Sequence, residues 1–314
     1  MDPVSHGLVG MVLGLMGGGT LSLSNGLMTA AIVGSVIPDL DILFQLRGDY
    51  AYIKQHRGFS HSLPSAVGSS CLGAFFLGIF YPGVPLITLF AWFLLGFFSH
   101  LLLDMFNSYG VKIFWPLSRK KFTLNLLPLI DPIVLLISII AIFTYRAGVK
   151  DFPFLLVYGC YFLVRWGMRI WAGRIVRRRM QIMQKPHIIL LPSGRMSLFQ
   201  WDFIAMSAPK NIVGNVNLLL GDYRIFQEFA NKSEQELQCL LHETALGQIF
   251  REFTPYVHIN CEMIEGKLVC HFIDLRYRVR NRFMHNGVMV LNEQREVEKA
   301  FFLPYSTAHR IYLA

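Results

Sequence analysis

The sequence predicts a mainly α protein, a polytopic membrane helical bundle followed by a cytoplasmic α+β domain. Hydrophobic residues make up 54% of the 314 residues, the mean hydropathy is +0.44, and only 16% of the residues are charged. Soluble domains carry about 25% charged residues, so this composition is typical of a membrane protein. The apolar residues are concentrated before residue 172, which predicts a membrane domain at 1–180 and a soluble domain at 181–314.

The net charge of +9 indicates which partners to expect. The basic runs Arg119–Lys121 and Arg174–Arg179 lie beside apolar segments. Anionic headgroups and the orientation of helices in a bilayer account for that placement. We therefore expect membrane lipids as partners and no nucleic acid.

The cysteines show no CxxC spacing, are odd in number, and include two that lie in apolar stretches. This pattern predicts that they are reduced and structural. They are Cys71, Cys160, Cys239, Cys261 and Cys270.

The first apolar stretch, Gly7 to Ile37, is interrupted by Gly17–Gly19 and by Asn25-Gly26. Each piece is shorter than the roughly 20 residues of a standard span, so the stretch forms either two slanted helices or a re-entrant hairpin. Both arrangements return the chain to the side where it started. His6 and Asp39 are therefore predicted at the same membrane face.

Longer apolar runs follow and predict further spans. These are Leu63–Phe80, Val84–Phe106, about Leu129 to Tyr145, and a last span that begins at Phe152. Tyr81-Pro82-Gly83 separates the first two, which predicts a tight helical hairpin. Arg165 and Arg169 lie in the last span and must reach the interface with their charged ends.

Basic residues predict the orientation of these spans. They lie mainly in the loops 38–62 and 107–128 and after residue 174, whereas the turn 81–83 has none and 146–151 has two. The positive-inside rule then places the N-terminus, both basic loops and the C-terminal half in the cytoplasm of a bacterial inner membrane.

After Pro186 the pattern changes to short β-like runs. The predicted strands are Tyr256–Ile264, Lys267–Ile273 and Gly287–Leu291, and Ser233–Phe253 is predicted as an amphipathic helix. The histidines of this half show no spacing typical of a ligand set, so we interpret them as ordinary surface or strand residues. The role of this domain is not indicated by its sequence.

Histidines and aspartates lie at the ends of the apolar segments of the N-terminal half. Imidazole nitrogen and carboxylate oxygen are the usual ligands of Zn²⁺ and similar ions, so we expect one or more divalent ions, most simply Zn²⁺. The predicted metal ligands are His6, Asp39, His56, His61, His100 and Asp104, and the predicted catalytic residues are Asp41, Arg57 and Asp131.

His100 and Asp104 lie four residues apart in an otherwise apolar helix, so both side chains project from one face about one turn apart. This spacing suits two ligands of one ion or of adjacent ions. An i,i+4 hydrogen bond at a helix end explains it equally well, and for an isolated pair in a soluble protein that is the commoner explanation.

Two other segments carry the same residue types. Pro38-Asp39-Leu40-Asp41 places two carboxylates after an apolar segment, a pattern that alone is typical of a solvated helix boundary. In His56–Ser62, Gly58 permits a bend that folds two imidazoles towards one centre, while Arg57 faces an anion. The alternative for this segment is a polar loop that caps the next helix.

The joint placement of these residues favours a site. By the predicted topology they share one cytoplasmic level, although they come from five separate stretches of chain. Independent solvated residues would be expected on both faces, and ionisable residues near a membrane are costly. We therefore expect a metal or catalytic site at the cytoplasmic face.

Several segments carry a family resemblance: MDPVSHGLVG, VIPDLDIL, QHRGFSHSL, FSHLLLDMFNSYG, LIDP, SLFQWDFIAM and DLRYR. Together they resemble the YdjM/YfhP group of membrane-bound predicted metal-dependent hydrolases. The resemblance places this group near the zinc-dependent phospholipase C and P1 nuclease superfamily, in which a helical HxxxD pair helps to hold a multinuclear zinc centre that hydrolyses phosphoesters. It implies zinc ligands at His100 and Asp104, with His6, Asp39 and His61 as further matches.

The leading functional hypothesis is a hydrolase in which divalent ions lower the pKa of a bound water and polarise a phosphoryl or acyl group. Arg57 is then the anion binder, and Asp41 or Asp131 the general base. A site at headgroup level favours a phospholipid or lipid-linked phosphate as substrate.

Two other functions are compatible with the sequence. One is a transporter or channel whose pathway for protons or metal ions is lined by the same residues, although the ligands cluster at one face. The other is a membrane scaffold whose soluble domain binds a partner.

Overall fold

The computed structural model of the chain describes residues 1–18, 20–48, 57–150, 152–180, 186–194, 197–208, 210–231, 240–279, 282–304 and 310–313. The chain divides into two compact units, Met1–Gly167 and Met168–Ala314. Each unit has hydrophobic cores of its own. The fold is therefore described unit by unit.

The first unit is helical. Its helices are α1 (Pro3–Met16), α2 (Gly26–Val36), α3 (Leu63–Phe80), α4 (Leu86–Phe106), α5 (Pro132–Arg146) and the first part of α6 (Phe154–Arg179). A 3₁₀ segment, Ile37–Arg47, continues α2, and a 3₁₀ turn, Phe59–His61, precedes α3. Among the described residues, three helical segments are long and apolar enough to cross a membrane: Gly26–Arg47, Leu63–Phe80 and Leu86–Phe106.

Helices α1 and α2 form an antiparallel hairpin with closely spaced backbones. A Cβ atom on Gly14 would lie 2.6 Å from Cα of Met28, and one on Gly10 would lie 2.8 Å from the carbonyl oxygen of Ala31. Small residues permit this approach, which brings the start of α1 beside the end of α2. The predicted return of the chain towards its start is confirmed as a helical hairpin, and the placement of His6 and Asp39 at one membrane face stays a prediction.

Helices α3 and α4 form the hairpin predicted from Tyr81-Pro82-Gly83. Helix α3 has the predicted bounds, whereas α4 begins at Leu86, because Val84 still belongs to the turn and donates its amide to the carbonyl oxygen of Tyr81 at 3.0 Å. Helix α4 also packs closely on α2, since a Cβ atom on Gly96 would lie 2.1 Å from the carbonyl oxygen of Ala31. Helix α4 is therefore held by α2 as well as by α3.

The second unit begins within α6, because Ala172, Val176 and Met180 lie in its core. They pack with Trp201 and Phe203 of a four-stranded antiparallel sheet. The division into compact units thus falls within α6, at Gly167/Met168, and the domain boundary at 180/181 stays a prediction. The strands of this sheet, in spatial order, are β1 (His187–Pro192), β2 (Gln200–Met206), β3 (Lys210–Asn217) and β4 (Asp222–Ala230).

A second sheet has five strands: β5 (Val257–Ile264), β6 (Lys267–Asp274), β9 (Asn286–Leu291), β10 (Val297–Leu303) and β11 (Ile311–Tyr312). Their spatial order is β11-β10-β9-β6-β5. The short strands β7 (Arg278–Val279) and β8 (Arg282–Phe283) pair separately. The strands predicted for β5, β6 and β9 are confirmed. Helix α7 (Ala245–Phe253) packs Phe250 on Phe272 and Phe302, while the predicted helix start at Ser233 lies outside the described residues.

The prediction that the cysteines are reduced is wrong for Cys261 and Cys270. These residues lie directly opposite each other on β5 and β6 and form a disulfide. Cys71 and Cys160 are free, and Cys239 lies outside the described residues.

Two histidines of this unit, His258 and His285, are buried. His258 lies in β5, in agreement with the interpretation as a strand residue, whereas His285 lies between β8 and β9 and is neither a surface nor a strand residue. Burial lowers the pKa of each imidazole to about 4, because a charged ring loses its hydration inside the protein. Both rings are therefore neutral at pH 7. An aromatic ring packs on each imidazole, Phe229 on His258 and Phe253 on His285, and Asn211 Nδ2 lies 3.5 Å from His258 Nδ1.

Candidate metal centre

Five of the predicted ligands meet inside the first unit. They are His6 of α1, Asp39 of the 3₁₀ segment after α2, His61 of the 3₁₀ turn before α3, and His100 and Asp104 of α4. The three imidazoles and Asp104 are fully buried, and Asp39 is mostly buried. Four separate stretches of chain therefore deliver these side chains to one point.

The distances are those of donor groups that can share an ion. His100 Nε2 lies 3.6 Å from Asp39 Oδ1 and 3.7 Å from Asp104 Oδ2. His61 Nε2 lies 3.4 Å from Asp104 Oδ2 and 3.8 Å from Asp39 Oδ1. His6–Asp39–His100 and His61–His100–Asp104 each place their donor atoms within 4.8 Å of one another, so two triads share His100.

His100 has a defined tautomer. Its Nδ1 lies 2.8 Å from the backbone carbonyl oxygen of Ser35, which can only accept a hydrogen bond. Nδ1 therefore carries a proton, and Nε2 on the other side of the ring lies 3.1 Å from His61 Nε2 and faces the carboxylates of Asp39 and Asp104. A hydrogen bond from the distal ring nitrogen is how proteins orient metal-binding histidines.

His6 is placed by the start of α1. The Asp2 side chain accepts the amide of Ser5 at 3.0 Å and caps the helix, and Pro3 follows in the first turn. The His6 ring stacks on the His100 ring with centroids 3.7 Å apart. Its Nε2 lies 3.4 Å from Asp104 Oδ1.

Behind His61 lie Ser60 and Asp41. Ser60 Oγ lies 2.9 Å from His61 Nδ1 and donates to Asp41 Oδ2 at 3.3 Å. The same Asp41 oxygen accepts the backbone amide of Arg57 at 2.9 Å. These are the contacts of a positioning residue on the side of the ring away from His100, and the general-base role of Asp41 stays a prediction.

Arg57 lies beside the carboxylate of Asp104. Its Nη2 donates to Asp104 Oδ1 at 3.2 Å, and its Nη1 donates to Asn107 Oδ1 at 2.9 Å. Asn107 Nδ2 donates to the same Asp104 oxygen at 2.9 Å, as does the amino group of Met1. Hydrogen-bond donors thus surround Asp104 Oδ1, while Asp104 Oδ2 faces His61 and His100. Asn107 was not among the predicted site residues, although it follows directly after the helix that carries the HxxxD pair.

Several buried nitrogen and oxygen atoms of the centre that could bind a metal ion lack hydrogen bonds. Within the described part of the chain, neither ring nitrogen of His6 has a hydrogen-bond partner, and the same holds for Asp39 Oδ2 and Asp104 Oδ2. Leaving such groups unsatisfied costs about 1 to 3 kcal/mol each, more when they are charged. A divalent cation with nitrogen and oxygen ligands would satisfy one nitrogen of His6 and the two carboxylate oxygens, so the residues fit a bound metal.

Asp131 lies apart from this set. Asp131 caps α5, where its Oδ1 accepts the amides of Ile133 at 2.9 Å and Val134 at 3.1 Å, while Tyr161 donates to its Oδ2 at 2.7 Å. These contacts make Asp131 a helix cap, and its catalytic role stays a prediction. His56 lies outside the described residues.

Comparison with known proteins adds a family assignment. The family model of the YdjM inner membrane protein matches residues 1–172, and that of the YfhP C-terminal alpha/beta plait domain matches residues 241–308. The uncharacterized protein YfhP of Bacillus subtilis (strain 168) is 26% identical over 313 residues, which cover 96% of this chain and 94% of that protein. The resemblance to the YdjM/YfhP group is thereby confirmed.

Among solved structures, the C-terminal domain of Bacillus megaterium YpeB matches at 9% identity over 46% of this chain and 66% of that chain, slightly less than two thirds. Its TM-score of 0.16 is too low to carry an argument. The YdjM match covers more than half of the chain and the convergent residues of the metal centre. The chain therefore belongs to the YdjM family of inner membrane proteins and carries a C-terminal α/β plait domain of the YfhP type.

Proposed function

We propose that this protein is a polytopic, membrane-bound, metal-dependent hydrolase whose centre and C-terminal domain face the cytoplasm. The observation that carries the proposal is the convergence of five side chains, several of whose buried nitrogen and oxygen atoms lack hydrogen bonds. These residues are His6, Asp39, His61, His100 and Asp104. A purely structural polar cluster is expected to satisfy its own buried donors and acceptors. In this cluster, by contrast, the ring nitrogens of His6 and one carboxylate oxygen each of Asp39 and Asp104 lack hydrogen-bond partners.

The residues divide into ligands and supports. His6, Asp39, His61, His100 and Asp104 would hold one or two divalent ions, most simply Zn²⁺. A bound divalent ion polarises a phosphoryl oxygen and makes water acidic enough to act as a nucleophile near neutral pH. The Ser35 carbonyl orients His100, and Ser60 with Asp41 orients His61.

Arg57 favours a phosphoester as substrate. Its guanidinium lies 3.2 Å from the ligand Asp104 and is held by Asn107, so a planar, permanently charged fork is fixed at the edge of the centre. Such a fork matches two oxygens of a phosphate. The family's inner-membrane description and the resemblance to phosphoesterases favour a phospholipid or lipid-linked phosphate over an acyl substrate.

The test combines metal analysis with turnover. Detergent-purified wild type is expected to contain Zn²⁺ or a similar ion, and His100→Ala and Asp104→Ala are expected to lose most of it. His271→Ala, which changes an exposed histidine of β6, serves as the matched control and should keep the wild-type content. Full occupancy in His100→Ala would count strongly against the assignment.

The same preparations are assayed with phospholipids, lipid pyrophosphates and model phosphodiesters. Wild type and His271→Ala should release product, whereas His100→Ala and Asp104→Ala serve as blanks. If wild type with bound metal and the blanks release the same amount from every substrate, the hydrolase proposal is dropped and metal transport is tested next.

A further inference from the structure

The segment between α4 and α5 contains a loop with an unusual surface. The backbones of Val111 and Phe122 pair with each other and close this loop, which we name the 111–122 loop. At its tip Leu117 is 94% exposed, and Phe114 is 47% exposed. Neither residue lies in a helix, so they are not positions on an exposed helix face that a neighbouring helix of a bundle could cover.

Exposed basic residues follow this apolar tip. Arg119 and Lys120 are exposed, and the Lys120 ammonium lies 5.9 Å from the centroid of the Phe122 ring. Large apolar side chains beside lysine and arginine are the composition of segments that lie in the bilayer interface, where the apolar groups enter the acyl boundary and the charges meet anionic headgroups.

The loop is attached to the turn that carries His61. The amide of Leu63 donates to the carbonyl oxygen of Ile113 at 3.0 Å, and the rings of Phe59 and Trp115 meet edge to face with centroids 5.0 Å apart. The guanidinium of Arg57 lies over the ring of Tyr109, 5.1 Å from its centroid. The position of the loop and the position of the metal centre are thus fixed relative to each other.

We propose that the 111–122 loop is an interfacial anchor that docks on an anionic phospholipid surface. Phe114 and Leu117 enter the acyl boundary, and Arg119 and Lys120 bind headgroup phosphates. Each basic residue near an anionic surface strengthens such binding by about fivefold. Docking holds the His61 turn, and with it the metal centre, at headgroup level whether or not the centre hydrolyses phosphoesters.

The test measures the depth of the loop without using turnover. In a chain with Cys71→Ser, Cys160→Ser and Cys239→Ser, an environment-sensitive fluorophore is attached at Leu117→Cys, and the protein is reconstituted into vesicles. The matched control is Leu220→Cys, a leucine in another turn that is 77% exposed. Vesicles contain phosphatidylcholine alone or an equal mixture with phosphatidylglycerol.

In the mixed vesicles, the Leu117→Cys label should emit at shorter wavelength than the Leu220→Cys label and be quenched by lipids with a nitroxide near the headgroup. Adding Arg119→Gln and Lys120→Gln should shift its emission towards the value in water, and more in mixed than in phosphatidylcholine vesicles. Equal, water-like emission from both labels in both vesicles would overturn the anchor. If the Leu117→Cys label emits as in water while the metal content is that of wild type, the anchor is rejected and the proposed metal centre is not.

Discussion

At the scale of residues, the proposed ligands of the candidate centre are held by neighbours that are not proposed as ligands. Asp41 is the best example, because one of its oxygens accepts from both Ser60 and the Arg57 amide, and it lies 3.7 Å from His61 Nδ1. Partners of this kind fix the ring orientation and raise the basicity of a histidine ligand. Their removal weakens a metal site without abolishing it.

We therefore predict that Asp41→Asn lowers metal affinity by about 10- to 100-fold, the usual effect of losing such a partner. The asparagine keeps the size of the side chain but loses its charge. Competition with a chelator of known affinity measures the change, and Asp222→Asn, an exposed aspartate of β4, is the control. Unchanged affinity together with lost turnover would instead indicate that Asp41 is the general base.

The convergence of His6, Asp39, His61, His100 and Asp104 could be predicted because their residue types and positions at the ends of apolar segments are visible in the sequence. Their supports could not, since those contacts depend on backbone conformation. Arg57, for instance, adopts a left-handed conformation with φ of 56°, and this bend presents its amide to Asp41 while its guanidinium extends to Asp104. A sequence in which Gly58 is the obvious bend residue does not reveal that geometry.

At the scale of elements, the centre depends on close contact between α2 and α4. Asp39 follows α2 and His100 lies on α4, so the separation of these helices sets the distance between the ligands. Gly34 and Gly96 make the contact possible, because a Cβ atom on either would lie 2.1 Å from a backbone carbonyl oxygen of the facing helix. Neither oxygen can move without shifting its helix.

Gly96→Ala is therefore expected to destabilise the helical unit by about 1 to 3 kcal/mol, the usual cost of overpacking, and to lower metal content. Gly68→Ala in α3 is the matched control, because a Cβ atom there meets nothing within 4 Å and alanine favours a helix over glycine by about 1 kcal/mol. Thermal unfolding in detergent compares the two. A Gly96→Ala chain as stable as Gly68→Ala would contradict this account of the packing.

Elements were predictable where breakers stand between strong patterns, as in Tyr81-Pro82-Gly83 between α3 and α4. The β1–β4 sheet was not located strand by strand, because strands such as Lys210–Asn217 mix valine and isoleucine with asparagine and Gly214. The disulfide had a usable signal. Glu265 and Gly266 both have positive φ, as a two-residue hairpin turn requires, and that turn sets Cys261 opposite Cys270.

At the scale of the whole molecule, two features bear on which side of the membrane the C-terminal unit lies. The basic loops place it in the cytoplasm by the positive-inside rule. The Cys261–Cys270 disulfide indicates the opposite, because disulfides persist in oxidising compartments and are rare in the cytosol. In a topology that satisfies the first feature, Cys261 and Cys270 are expected to be reduced thiols.

We predict that the positive-inside rule holds, since it draws on several loops whereas the disulfide is a single hairpin contact. Single cysteines are introduced at exposed positions, Leu46 in the 38–62 loop, Leu220 in the second unit and Gly83 in the α3–α4 turn, with Cys71, Cys160 and Cys239 changed to serine. The same chain without an introduced cysteine gives the background from Cys261 and Cys270. In intact spheroplasts, a membrane-impermeant maleimide should label only Gly83→Cys. Leu46→Cys and Leu220→Cys should react after lysis. If Leu220→Cys were labelled from outside while Leu46→Cys stayed protected, the second unit would lie in the oxidising compartment. The disulfide would then be permanent, and the second unit would lie on the membrane side opposite to the proposed metal centre.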